Sequence, residues 1–315
     1  MEKKKLTTIL FIFVIGITIS LFSQDNGVVV EEVGEHSAGE RAGIQKGDIL
    51  FSWERPANPP ANPEPARGVI ESVFDFMMVE IEQGPRGLAK LTGERESEKV
   101  IYEIPVGEWK IKVRPLMGEG DLQIYLKGKK MIEDREVETG ITIWKELMQS
   151  ERAARDGLFS SWMHLQIGNA LVKQRKWDEA HSAYQDALEQ AKKSQNPSAQ
   201  DAVWDALSKN FQKQNDFQKA GEMYESSKKI WEETLGESLS LAMSLNNIGL
   251  MAYYRGNLEK AEIFHKRALE IREKLAPDSL DVASSFNNLG LVESKRGKIK
   301  DAESYYVRAF ALNEK

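Results

Sequence analysis

The sequence predicts an α+β multidomain protein: a small β-rich domain followed by an all-α superhelix of stacked helical hairpins. Three observations carry that prediction. Small residues recur at fixed intervals in the C-terminal part, where Gly168, Ser208, Gly249 and Gly290 stand 40 or 41 residues apart. Upstream, short β-branched and alternating runs such as Val28-Val29-Val30 are broken by turn residues. At the start, Lys3, Lys4 and Lys5 precede an uncharged apolar run from Leu6 to Phe22.

The first element, in chain order, is that apolar run. A charged stretch followed by an apolar core is the layout of a secretory signal. Its length falls between a signal core and the shortest spanning helix. Residues 1–24 are therefore expected to form a cleaved signal peptide or a retained N-terminal anchor. The rest is expected to be exported, periplasmic or extracellular, touching a membrane only through residues 6–22 where the signal stays uncleaved. The chain has no cysteine, so lipid attachment at cysteine, disulfides and thiolate chemistry are all excluded. Net charge is -6 at pH 7, with acids and bases interspersed and no basic stripe. Nucleic acid is not an expected partner.

Residues 25–117 read as the β-rich domain. A short helical stretch through Ala38, Arg41 and Ala42 should end at Gly43, which tolerates the left-handed conformation. Gly47-Asp48-Ile49-Leu50 opens a strand, and the spacing of Val73, Phe74, Met77 and Met78 predicts a helix over 70–81. Leu88–Leu91 and Val100–Ile104 flank a polar turn at Gly93–Lys99, and Glu108–Val113 alternates as a closing strand. The stretch VVVEEVGEHSAGERAGIQKGDIL resembles the PDZ family, in particular the form attached to bacterial high-temperature-requirement proteases. That resemblance implies an extended peptide lying between a strand and the second helix. It would contact Val28, Val29, Val30, Ser72, Val73 and Phe76. The family's carboxylate-cradling loop has no counterpart upstream of Val28, and a Pro-rich insertion, Pro56 to Pro65, sits just before the helix.

The repeat follows over residues 121–315. Each small residue of the opening series is followed at +12 by a small residue, at +16 by a large one and at +19 by another small one. The sets are Ala180/Tyr184/Ala187, Ala220/Tyr224/Ser227, Ala261/His265/Ala268 and Ala302/Tyr306/Ala309, with a fainter copy in Gly128, Gly140, Trp144 and Leu147. Fixed small positions let two antiparallel helices approach closely at the same heights in every unit. Five units are expected, at 121–154, 161–194, 201–234, 242–275 and 283–315. Asn215, Gly256 and Gly297 share one turn position, whereas Arg135 and Arg175 there predict less regular first turns. The pattern resembles the tetratricopeptide repeat, and the joint APDSLDVASSFNNLGLV looks like its kinesin-light-chain type.

By that resemblance, first helices face an open concave groove that binds extended peptides. The groove positions map onto Asn246, Asn247, Leu250 and Tyr253, then Asn287, Asn288, Leu291 and Lys295, with Asn169, Lys173, Lys209 and Lys213 in the neighbouring units. Asparagines can pair a peptide backbone without charge, and lysines beside them favour an acidic stretch or a carboxylate. Trp144, Tyr184, Tyr224 and Tyr306 are expected to pack internally, and Trp162 to stand on the groove wall. His36, His164, His181 and His265 assemble no nucleophile, base and acid, and no catalytic, cofactor or metal motif is present. The function expected is an exported scaffold for protein or peptide partners, not an enzyme. The alternative is the recruitment part of a larger secreted or membrane-anchored enzyme such as a protease.

Overall fold

The computed structural model describes residues 27–314, so the expected signal or anchor at 1–24 lies outside the described residues. The β-rich part comprises β1 (Val28–Val33), α1 (Ala38–Arg41), β2 (Ile49–Arg55), β3 (Ala66–Val69), α2 (Val73–Glu82), β4 (Ala89–Arg95), β5 (Glu98–Ile104) and β6 (Ile111–Pro115). Its strands form one antiparallel sheet in the order β5-β4-β2-β1-β6, with β3 also on β2. The β4–β5 hairpin is tighter than the composition of 93–99 suggests. Its strands pair as far as Arg95 and Glu98, and Glu96 and Ser97 make the turn with φ of 52° and 67°. Such two-residue turns match the strand twist.

The Ser72 side chain caps α2 at its N-terminus and forms a reciprocal box with Asp75. Helix α2 is buried on more than one face, through Phe74, Phe76 and Val79, with the Phe76 ring 6.0 Å from Trp109.

Five helical hairpins follow. They are α3 (Glu119–Glu133) with α4 (Val137–Leu147), α6 (Gly157–Lys173) with α7 (Trp177–Lys193), α8 (Pro197–Lys213) with α9 (Phe217–Thr234), α10 (Leu239–Tyr254) with α11 (Leu258–Leu275), and α12 (Leu280–Lys295) with α13 (Ile299–Asn313); a short α5 (Glu151–Arg155) joins the first two pairs. The small positions act as the spacing predicts. A Cβ on Gly128 would stand 2.5 Å from the Trp144 ring, and one on Gly290 equally close to Tyr306. The first two turns prove as regular as the rest. Arg135 and Arg175 adopt φ of 70° and 61°, beside 60° at Asn215 and 79° at Gly256 and Gly297. Closing the hairpin demands that conformation whichever residue occupies it. Tyr306 departs from expectation: it rests on Gly290 but is 37% exposed, because α13 has no further helix packed on its outer face among the described residues.

The groove is not open along its length. Helix α2 packs against the first helices α8 and α10, so the β-rich part lies in the inner curve of the array. Met78 joins the cluster of Trp231, Leu241, Ala242 and Leu245. Glu82 Oε1 accepts from the Ser240 N–H at 2.6 Å, and Asn62 Nδ2 donates to the Leu275 carbonyl at 2.8 Å. At the other end Glu31 accepts from Tyr125 Oη and pairs with Lys129 at 3.0 Å. The Pro-rich insertion thus tethers to the end of α11 through Asn62.

Candidate functional site

Where α2 and β6 face α6 and α8 the two parts separate, leaving a cleft of about 460 Å³. One wall carries Val73, Phe76, Met77 and Glu80 of α2 with Ile111, Lys112 and Val113 of β6. The other carries Trp162, Leu165, Gln166 and Asn169 of α6 with Ala202, Asp205, Ala206, Lys209 and Lys213 of α8. Among the described residues strand β6 ends the sheet and is hydrogen-bonded to β1 alone. A sheet edge offers unpaired backbone groups to an added strand.

The polar groups of the cleft are mostly engaged within the protein. Tyr184 Oη donates to Asn169 Oδ1 at 2.8 Å, and Lys209 pairs with Asp205 at 2.5 Å. Lys112 pairs with Glu32 at 2.7 Å. Glu80 differs. It is partly buried and has no hydrogen-bond or ion-pair partner among the described residues, and burial pushes its carboxyl up to about 7. Desolvation without a compensating charge is the cause.

The family model described as tetratricopeptide repeat matches residues 158–233, 200–274 and 240–315, which together cover half of the chain without a gap. The chain belongs to the tetratricopeptide repeat family. A search of the curated proteins finds no significant match. Among solved structures the chain is similar to the apo form of RapI, at 18% identity over 62% of this chain and 55% of that one, with a TM-score of 0.55. Aspartyl phosphate phosphatase F from Bacillus subtilis is similar at 17% identity over 62% and 52%, with a TM-score of 0.50. The chain therefore spans about half the length of these two proteins, and the likeness is one of fold. A putative kinesin light chain with nearly identical repeats from Podosopora anserina aligns at 14% identity over 62% and 97%, with a TM-score of 0.49.

In the tetratricopeptide array, the residues expected to contact a ligand divide into groups. Asn169, Lys209 and Lys213 line the cleft together with Val73 and Phe76, joining two sets that the sequence assigns to separate domains. Lys173 is exposed beside it but is not part of the lining. Trp162 lines the cleft and is only 5% exposed, its ring 5.3 Å from Tyr125. Further along, Asn246 is turned inward, its Oδ1 accepting from Asn288 Nδ2 at 2.8 Å and facing His265 Nδ1 at 3.0 Å. Asn247 and Leu250 are partly buried, Asn287 and Leu291 are exposed, and the Lys295 ammonium sits 4.4 Å over the Tyr253 ring.

Val28, Val29 and Val30 are corrected. They lie in β1, which is paired on both sides by β2 and β6, so they present no edge to a peptide. The strand beside α2 is β6. Ser72 is occupied in capping the helix. Glu80 escapes the sequence reading although a signal exists: with Val73 and Met77 it completes an i, i+4, i+7 stripe, a lone acid on an apolar face.

Proposed function

We propose that this protein is an exported interaction scaffold that captures an extended segment of a partner polypeptide in the cleft between α2, β6, α6 and α8. The proposed division is residues 1–24 as signal or anchor, 25–117 as a PDZ-like domain and 121–315 as the array. One observation carries the reading: β6, an edge strand among the described residues, lines a cleft whose opposite wall is formed by the tetratricopeptide first helices α6 and α8. A strand added to β6 would satisfy backbone groups on that edge, while apolar walls on both sides would receive alternate side chains. The PDZ resemblance supports the same placement, because it puts a peptide between a strand and the second helix. The reading assigns the chain binding and no catalysis.

Ala206→Trp tests it by filling the cleft from α8. Peptides selected from a display library on the purified protein should bind this variant at least about tenfold more weakly, a change of roughly 1.4 kcal/mol. Unchanged affinity in a variant that melts like the parent would sink the reading.

A further inference from the structure

We infer that the cleft selects a partner segment carrying a basic side chain, and that Glu80 is the residue that receives it. The inference rests on the cleft being the peptide site. The other acids of the lining are already engaged within the protein. Asp205 pairs with Lys209 and accepts from Tyr224 Oη at 3.2 Å. Glu31 pairs with Lys129 and accepts from Tyr125. Glu80 alone among them lacks a partner in the described residues.

Its surroundings make that lack informative. Glu80 shares its stripe of α2 with Val73 and Met77, and the wall opposite offers the apolar surfaces of Trp162, Leu165 and Ala206. A carboxyl taken from water into such a setting is penalised in its ionised form unless a charge or donors arrive to meet it. The upward displacement of its titration expresses this penalty. Nearby Glu82, two residues on, shows the alternative, with Arg86 at 2.8 Å and a backbone N–H to hold it. A lysine or arginine from a strand laid on β6 would supply to Glu80 what the chain supplies to Glu82. Such a pair, formed away from water, rejects neutral or acidic side chains at that position and so sets specificity.

The test uses end-blocked peptides of about nine residues, the upper reach of an ordinary strand, built from alternating valine and threonine. One lysine is walked through every position, with matched norleucine and glutamate series, and binding to the purified protein is read by fluorescence anisotropy. At one position the lysine peptide should bind at least about tenfold tighter than its norleucine match, with the glutamate peptide weakest. In Glu80→Gln that preference should collapse to parity, and in Glu80→Lys the glutamate peptide should become the tightest. Equal binding of lysine and norleucine at every position, or a preference that survives in Glu80→Gln, overturns the role of Glu80 while the peptide site stands. Failure of all three series to bind overturns the peptide site, and the inference with it.

Discussion

Two carboxylates on one helix meet the tetratricopeptide array in opposite ways. Glu82 is 3% exposed and fully engaged: one oxygen takes the Ser240 N–H and the other takes Arg86. Glu80 lines the cleft with no side-chain partner among the described residues. Around Glu82 the β-rich part completes the array. Ser240 lies in the first turn of α10, where a helix has no internal acceptor for its N–H, and Leu275 ends α11, where a carbonyl is left over. Glu82 satisfies the first and Asn62 the second, so one open group at each end of the fourth hairpin is met from outside the array. Around Glu80 nothing is completed. Burial is common to both places. Satisfaction of polar groups is what separates a seam from a site.

The largest effect should come from breaking the seam. Glu82→Ala would strand a buried N–H on α10 and leave the Arg86 guanidinium without its carboxylate. Removing one partner of such a pair costs about 3 kcal/mol or more. Urea unfolding at neutral pH measures it. A loss under about 1 kcal/mol, the scale of an exposed pair, would show that the seam is wet and that the contrast with Glu80 is false.

Glu80→Gln should act with the opposite sign. The folded-state value of about 7 lies above the ordinary 4.5, so between them the folded protein holds a proton that the unfolded chain has released. The contribution of Glu80 to parent stability is then fully present below pH 4.5 and is lost as pH rises through about 7, by about 3 kcal/mol. Glutamine removes that loss. Thermal melts should show no advantage for the variant at pH 4, a growing one at pH 6 and the full one at pH 8. A difference independent of pH would break the comparison at its other end.

How much of this was legible in the sequence depends on the range of the interaction that decides it. The hairpins were legible, because Gly128, Gly168 and their successors report contacts made within each unit. Arg135 and Arg175 show the limit of reading by residue type. The backbone takes the left-handed turn there as well, since closure of the hairpin outweighs the modest cost of a side chain at positive φ. In the β-rich part, the run Val28-Val29-Val30 announced burial but could not say which strands flank it. Flanking is decided by β6, more than 80 residues away. Docking of α2 into the inner curve was illegible. Met78, Glu82 and Asn62 recur with no period, and each acts on a partner more than 150 residues distant. The cleft was partly legible: five of its residues were identifiable as contacts from two motifs and Trp162 as a wall residue, but only the docking brings them to one place.

The smallest effect concerns the asparagines that the sequence set in one row. Asn288 donates to Asn246, whose oxygen also faces His265, and burial holds that imidazole down at about 4. A neutral ring with Nδ1 against a carbonyl oxygen must carry its proton there, so Asn246 accepts twice and the three side chains tie α10, α11 and α12 together. Asn288→Ala removes one of those donors and should cost about 1 kcal/mol. Asn287, its exposed neighbour, should tolerate alanine within about 0.5 kcal/mol. Parallel urea titrations of the two variants measure the difference. Equal costs would mean that the internal network contributes nothing. The row would then be a surface free to bind, and the site would extend past the seam at Glu82.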